Sequence, residues 1–174
     1  MAGNMRYVKR YPSPLGEMLL EADEKGLTGI WFDGQKYLNT ERFREAVEQD
    51  TEDLKETERW LDQYFAGNVP DHTPRLHLEG TDFRVRIWEI LLTIPYGQTM
   101  TYGQIAAKVA AQTGKKSMSA QAVGGAVGHN PISIIVPCHR VIGKDGSLTG
   151  YAGGLDKKKA LLTREGIAWK EEER

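Results

Sequence analysis

Short runs of alternating and β-branched apolar residues dominate the first third of the chain. Residues 5–10 and 17–22 have the pattern of two strands, and the Ser13-Pro14-Leu15-Gly16 segment between them is typical of a turn. Residues 27–32, directly after a Glu-Lys-Gly turn, have the pattern of a third strand. The chain is therefore predicted to begin with three strands in succession.

Apolar residues at helical spacing follow these strands. Residues 51–66 predict a helix that a glycine and a proline end, and residues 38–49 predict a shorter helix before it. His72 and His77 flank a further short strand, and since they lack partner ligands we interpret both as structural or solvated. These elements predict a small α/β unit without paired acids, a metal site or a phosphate loop, which we interpret as a scaffold.

The second half of the chain is mostly helical by the same criterion. After a boundary at Gly80-Thr81-Asp82, apolar spacing predicts a helix over residues 83–91 with one buried face. Thr101 followed three residues later by Gln104 has the form of a capping box, which marks the start of the next helix. A polar, glycine-containing turn and a helix over residues 119–127 complete the layout of a helix-turn-helix.

Composition places the chain among ordinary globular proteins. Hydrophobic residues make up 40% and charged residues 27% of the 174. No apolar run approaches the roughly 20 residues that cross a bilayer, and the N-terminus has no signal-peptide pattern, so no membrane association is expected. One cysteine excludes an intramolecular disulfide and a cysteine-rich zinc site. A free thiol favours a reducing, cytoplasmic location.

The net charge of −1 conceals a difference between the two halves. Residues 1–80 hold 10 Lys and Arg against 16 Asp and Glu, a net charge of −6. Residues 81–174 hold 13 against 8, a net charge of +5. A polyanion is therefore a plausible partner of the second half, although solvated lysines with no partner would give the same count.

The cysteine stands in the most distinctive segment of the chain. Residues 132–136 are β-branched at four of five positions, which predicts a buried strand that Pro137 ends. Cys138 is then delivered at the end of a rigid element, immediately before His139 and Arg140, and nearby positive charge favours a thiolate. The alternative is a small buried hydrophobe, because a lone cysteine is often no more than that.

Several short motifs around this cysteine occur together. Pro-Cys-His-Arg-Val at 137–141 follows an Asn-Pro pair that begins at Asn130, and it precedes Gly143 and the Tyr-Ala-Gly-Gly segment at 151–154. From about residue 83 to residue 166 the chain closely resembles the O6-alkylguanine-DNA alkyltransferases, also called methylated-DNA–protein-cysteine methyltransferases. Pro-Cys-His-Arg-Val is a highly specific part of that resemblance.

The resemblance implies an α+β fold with two domains. The first, residues 1–80, is a small ribonuclease H-like α/β scaffold, and the second, residues 81–174, is mostly helical with a winged-helix-like helix-turn-helix that binds DNA and accepts the alkyl group. The implied activity is DNA repair, in which the methyl or other alkyl group of O6-alkylguanine moves to Cys138 from a flipped-out nucleotide. O4-alkylthymine is an alternative substrate. Because the product is a thioether, each molecule reacts once and is irreversibly inactivated.

The resemblance also assigns roles to residues. Cys138 is the nucleophile, and His139 takes the thiol proton through an ordered water and shares the charge with Glu165. Asn130 holds the loop around the cysteine by hydrogen bonds. Tyr102 places its hydroxyl near guanine N3 as a donor and helps to push the nucleotide out. The residues that line the base pocket are Tyr151, Ala152, Gly153 and Val141, with the Ala152 N–H a donor to O6.

Each assignment has an alternative when the residues are taken alone. Glu165 would be an ordinary surface acid, Asn130 a turn residue and Tyr102 a packing residue. Lys157-Lys158-Lys159 predicts a solvated face that could contact phosphate.

The second helix of the helix-turn-helix has little with which to read bases. Its three glycines cost roughly 1 kcal/mol each relative to alanine, so either tight core packing or close approach to a DNA minor groove must favour them. The family resemblance favours the minor groove, with little sequence preference, and Gln121 stands where relatives often have arginine, which predicts weaker DNA affinity. The residues expected to contact DNA are Gln121, Ala122, Gly124, Gly125, Thr101 and Gln104.

No cofactor and no metal are expected, and the partner is double-stranded DNA bound by a monomer. Three other functions fit parts of the pattern. A lesion sensor of the alkyltransferase-like class would lack the cysteine, and a DNA-binding regulator would use Cys138 only structurally. A Cys-His hydrolase would need an oxyanion hole and a substrate cleft, neither of which the sequence indicates.

Overall fold

The computed structural model describes residues 5–170, and the chain divides into two compact units between Glu79 and Gly80. Within the described residues, no helix is both long and apolar enough to cross a membrane.

The first unit is built on a four-stranded sheet with the strand order β3-β2-β1-β4. Strands β1 (Tyr7–Ser13), β2 (Gly16–Asp23) and β3 (Gly26–Phe32) form an antiparallel meander, and the short β4 (Val47–Glu48) lies parallel to β1. The three predicted strands are therefore confirmed. Every residue of β3 is buried, because apolar residues occupy most of its positions and glycine most of the rest.

Helix α1 (Glu52–Phe65) packs against this sheet, with Thr51 as its N-cap. Its buried residues recur at helical spacing, which confirms the predicted helix. The second predicted helix, residues 38–49, is wrong: the segment forms a 3₁₀ turn at Thr40–Phe43 and then β4. No residue of that turn is buried, so the segment lacks the apolar face that would stabilise a helix against the sheet.

The two histidines of this unit do have partners. His77 Nδ1 lies 2.7 Å from Asp23 Oδ2, and His72 contacts Asp71 and Glu56. The interpretation that neither histidine has a possible co-ligand is therefore wrong for His77, because Glu79 also lies close to the Asp23 pair. The Glu79 carboxylate, however, already accepts two hydrogen bonds from a guanidinium, that of Arg6.

In the second unit, residues 80–170 form four α-helices, a short 3₁₀ helix and one short pair of strands. The helices are α2 (Asp82–Leu91), α3 (Tyr102–Thr113), α4 (Ala120–Gly128) and α5 (Leu155–Arg164), and β5 (Met100–Thr101) pairs in parallel with β6 (Val141–Ile142). Helices α2, α3 and α4 contact one another. Trp88 of α2, only 2% exposed, donates its Nε1–H to the carbonyl of Ala126 in α4 at 2.9 Å, which joins these two helices.

Helices α3 and α4 form the predicted helix-turn-helix. Thr101 and Gln104 make both hydrogen bonds of the capping box, and Gly114 ends α3 in the left-handed conformation at φ 72°. Ser119 then caps α4 by accepting from the Ala122 N–H. A strand-rich unit followed by a mostly helical one confirms the α+β prediction.

The buried strand predicted at residues 132–136 is wrong. The segment folds back in turns, with the Val136 N–H bonded to the Ile132 carbonyl at 3.1 Å and Ile134 at φ +72°. All five residues are buried. Their β-branched character therefore reflects complete burial, which a compact turn supplies as well as a sheet does.

Candidate active site

The turn that precedes the cysteine is held by the buried side chain of Asn130. Its Nδ2 donates to the carbonyls of Val136 at 2.8 Å and Ile132 at 3.3 Å, and its Oδ1 accepts from the Ile132 N–H at 3.0 Å. Both ends of the amide thus bind the backbone of one turn. Cys138, two residues after Val136, is placed by this turn.

Cys138 opens a short 3₁₀ helix, Cys138–Arg140, and is 6% exposed. Burial raises the pKa of its thiol, while a hydrogen bond with Asn130 and the charge of Lys158 act in the opposite direction. The expectation that the adjacent imidazole and guanidinium favour a thiolate is wrong for the free protein, because burial outweighs the charges that reach the sulfur. The thiol is the resting form at neutral pH.

Glu165 connects the two residues that follow the cysteine. Its Oε2 lies 2.6 Å from His139 Nε2, and its Oε1 accepts from Arg140 Nε at 2.7 Å and from the Gly97 N–H at 3.1 Å. Burial alone would raise the pKa of the Glu165 carboxyl, but His139 and Arg140 outweigh it and lower that pKa to about 2. Glu165 is therefore a buried carboxylate and not a surface acid.

His139 is fully buried, and its two nitrogens differ in their surroundings. Burial lowers the pKa of the imidazole, against the influence of Glu165, so the ring is neutral at pH 7. Since a carboxylate can only accept, Nε2 carries the proton and Nδ1 presents a lone pair. Nδ1 is buried and forms no hydrogen bond with any of residues 5–170. The side chain is thus a neutral base with one unused acceptor.

Two tyrosines lie near the thiol. Tyr102, at the start of α3, shares a 2.6 Å hydrogen bond between its hydroxyl and Thr149 Oγ1. Burial raises the pKa of Tyr102, and burial together with Cys138 raises the pKa of Tyr151 well above its usual value. Both therefore keep their protons at neutral pH and can act only as hydrogen-bond donors or acceptors. Thr149 was not predicted, because nothing in the sequence marks it as the partner of a residue 47 positions away.

The predicted base-pocket residues lie on the two segments around Cys138. Val141 is buried in β6, and Tyr151, Ala152 and Gly153 occupy the half-buried loop that leads into α5. This loop and β6 are joined by Lys158 of α5, whose Nζ donates to the Val141 carbonyl at 2.7 Å and lies 3.5 Å from the Gly150 carbonyl.

Lys158 corrects a second prediction. The Lys157-Lys158-Lys159 run predicts a solvated face, yet Lys158 is 0% exposed. The spacing of Lys158 with Leu161 and Leu162, which are also buried, places it on the inner face of α5. Positions 158, 161 and 162 have the spacing of one helix face, which predicts that they are buried together. A run of three lysines is, however, typical of a solvated surface.

The residues expected to contact DNA lie on α4 and at the start of α3. Gln121, Ala122 and Gly125 are exposed, whereas Thr101 and Gln104 use their side chains in the capping box. A Cβ at Gly125 would meet nothing within 4 Å. One at Gly124 would lie 3.8 Å from the Tyr102 ring, which is ordinary contact. Packing inside the protein therefore does not require either glycine.

A helix-turn-helix unit in which a buried cysteine directly precedes the histidine of a histidine–glutamate pair defines a class: proteins that carry a cysteine site on a DNA-binding scaffold. Two family models match this chain, the 6-O-methylguanine DNA methyltransferase ribonuclease-like domain over residues 6–78 and the DNA binding domain of the same family over residues 82–167. The chain belongs to the 6-O-methylguanine DNA methyltransferase family, which confirms the resemblance.

Individual relatives agree over nearly the whole chain. The methylated-DNA–protein-cysteine methyltransferase of Methanosarcina acetivorans is 42% identical over 166 residues, covering 92% of this chain and 98% of the relative. The crystal structure of Mycobacterium tuberculosis O6-methylguanine methyltransferase is similar at a TM-score of 0.79 and 43% identity, covering 92% and 93% of the two chains. That of Mycobacterium tuberculosis OGT in complex with DNA is similar at 0.80 and 42%, covering 91% and 92%.

Proposed function

We propose that this protein repairs DNA by moving the alkyl group of O6-alkylguanine onto the sulfur of Cys138, once per molecule. The observation that carries the proposal is the state of His139. It is a neutral imidazole, held by Glu165 through Nε2, with the buried lone pair of Nδ1 unused. A resting thiol needs such a base, because only the thiolate is an effective nucleophile.

The reaction begins with proton transfer. The Cys138 proton passes through one water molecule to His139 Nδ1, and the Glu165 carboxylate stabilises the imidazolium that results. Because Glu165 is held ionised by Arg140, it accepts no proton itself. The thiolate then attacks the alkyl carbon, the new S–C bond forms as the C–O6 bond breaks, and the electron pair of that bond stays on guanine.

The departing guanine is stabilised by hydrogen-bond donors. Tyr102 keeps its proton and directs the hydroxyl towards N3, and the Ala152 N–H donates to O6, where negative charge develops. Tyr151, Gly153 and Val141 line the cavity that receives the base. The His139 imidazolium gives the former thiol proton back through the water, and guanine gains one proton in place of the alkyl group, so the lesion becomes an ordinary guanine.

The base reaches this pocket only after it leaves the duplex. Helix α4 lies against the minor groove, where Gly124 and Gly125 let the backbone approach the DNA closely. Support comes from the open space at Gly125, which excludes core packing as its explanation. Gln121 and Ala122 face the groove with almost no capacity to discriminate bases, so sequence preference is small. Thr101 and Gln104, at the start of α3, contact the sugar-phosphate backbone of the DNA.

The remaining features follow from the chemistry. The single free cysteine must stay reduced, which suits a location in the cytoplasm. Because one molecule suffices for one lesion, the protein works as a monomer. The chemistry uses residues 81–174, with residues 1–80 as a scaffold. O4-alkylthymine presents the same kind of alkyl–oxygen bond and is a second substrate.

The decisive experiment mixes the protein with a duplex that contains one O6-methylguanine with a labelled methyl group. Intact mass and peptide mapping should show one methyl group on Cys138, at one equivalent per lesion, and the duplex should contain plain guanine afterwards. Cys138→Ser is the matched control and should gain nothing while still binding DNA. Turnover well beyond one equivalent would contradict the mechanism, and tight lesion binding without transfer would identify a lesion sensor instead.

A further inference from the structure

Lys158 is a buried cation without an anionic partner. Its side chain is 0% exposed, and its Nζ contacts only carbonyl oxygens, those of Val141 and Gly150. Within residues 5–170, no carboxylate forms a salt bridge with it. Burying an ammonium group without a counter-ion costs several kcal/mol, so its presence requires a compensating role.

The other charges near the cysteine are already engaged. The Arg140 guanidinium binds the Glu165 carboxylate and the Ile94 carbonyl, and the His139 imidazole is neutral. Lys158 Nζ is held at the carbonyl of Val141, directly after the 3₁₀ helix that Cys138 opens, and there its charge acts on the thiol. Among residues 5–170, no carboxylate forms a salt bridge that would cancel this charge.

The influence of the two groups is mutual. Burial lowers the pKa of Lys158 to about 8, and a negative charge on Cys138 acts in the opposite direction. Lys158 in turn lowers the pKa of the thiol and that of His139. The hydroxyls of Tyr151 and Tyr102 also lie near the sulfur, and the influence of Cys138 raises the pKa of both. At neutral pH most molecules carry the ammonium form, so the charge is present when the thiolate forms.

We propose that Lys158 is a positioning residue of the alkyl-transfer site, whose buried ammonium stabilises the Cys138 thiolate and joins β6 to the loop that carries Tyr151. The inference rests on the proposed function, since the thiolate is the species that attacks the alkyl carbon. The proton leaves the sulfur for His139, and Lys158 keeps its own protons throughout. The base and the electrostatic stabiliser are therefore separate groups.

The test uses the full chain and a probe that needs no DNA. The rate at which iodoacetamide alkylates Cys138 is measured against pH in the wild type and in two variants. Lys158→Met replaces the lysine by an unbranched, uncharged side chain one atom shorter, and Lys158→Arg keeps the charge. We expect the apparent thiol pKa to rise by about one unit in Lys158→Met, which lowers the rate at pH 7 about tenfold, and Lys158→Arg to restore part of the loss. An unchanged pH profile in Lys158→Met would overturn the proposal.

A second variant covers the case in which Lys158→Met does not fold. Lys158→Gln removes the charge but keeps a hydrogen-bond donor for the Val141 carbonyl, and its iodoacetamide rate is measured against pH in the same way. We expect the apparent thiol pKa to rise in Lys158→Gln as well, and a pH profile equal to that of the wild type would refute the coupling. Normal coupling with no methyl transfer from methylated duplex would instead reject the repair function.

Discussion

Gly125→Ala should stabilise the protein and weaken its function at the same time. The residue lies inside α4, is exposed, and has open space where the Cβ would stand. Alanine in a helix interior is about 1 kcal/mol more favourable than glycine, and no clash offsets that gain. For a cooperative unit of this size, the gain corresponds to a Tm about 4 °C higher. A methyl group forced into a close-packed interface costs about 1–3 kcal/mol, which would lower duplex affinity about tenfold.

The two effects are measured separately. Thermal unfolding followed by circular dichroism gives the Tm, and fluorescence anisotropy with a labelled duplex gives the affinity. Reaction with free O6-methylguanine base, which needs no helix docking, is the control and should be unchanged. Undiminished duplex binding would refute the close approach of Gly125 to DNA, and a lower Tm would refute the assignment of this glycine to an unstrained helix position.

Three further substitutions test other parts of the site. Glu165→Gln leaves the buried Arg140 without its anion and should lower the free energy of unfolding by about 3 kcal/mol at pH 7. Because the pKa of Glu165 in the folded protein is lowered to about 2, this difference between wild type and variant should disappear as the pH falls from about 4.5 to 2. A difference that persists across that range in urea unfolding would contradict the assignment. Gln121→Arg should tighten duplex binding about fivefold and increase its salt dependence by about one counter-ion, and unchanged affinity would count against insertion of this side chain into DNA. Thr149→Val removes the partner of the Tyr102 hydroxyl and should slow single-turnover methyl transfer about tenfold, with Thr149→Ser close to wild type; equal rates in all three proteins would show that this hydrogen bond has no part in the reaction.

Local chemistry decided the parts of this protein that could be read directly from the residues. Thr101 and Gln104 form the hydrogen bonds of the capping box within one turn of helix, and Gly114 ends α3 by its own backbone conformation. Both features depend on neighbouring residues alone and not on the rest of the fold. The strands of the meander follow for a similar reason, since tight turns join neighbours in the sequence. The Pro-Cys-His-Arg-Val segment identified the family, because so specific a combination around a single cysteine has few other uses.

Tertiary structure decided the environment of each charged or apolar group. Residues 132–136 form a turn because the Asn130 amide and complete burial satisfy a segment whose composition suits a strand equally well. Lys158 is buried because it lies on the inner face of α5. Glu165 forms its ion pair with Arg140, a residue 25 positions earlier in the chain. Desolvation and ion pairing depend on groups that the fold brings together from distant positions in the chain. The sequence alone therefore determined the local elements and the cysteine motif, and only the fold determined which charged side chains are buried and which form ion pairs.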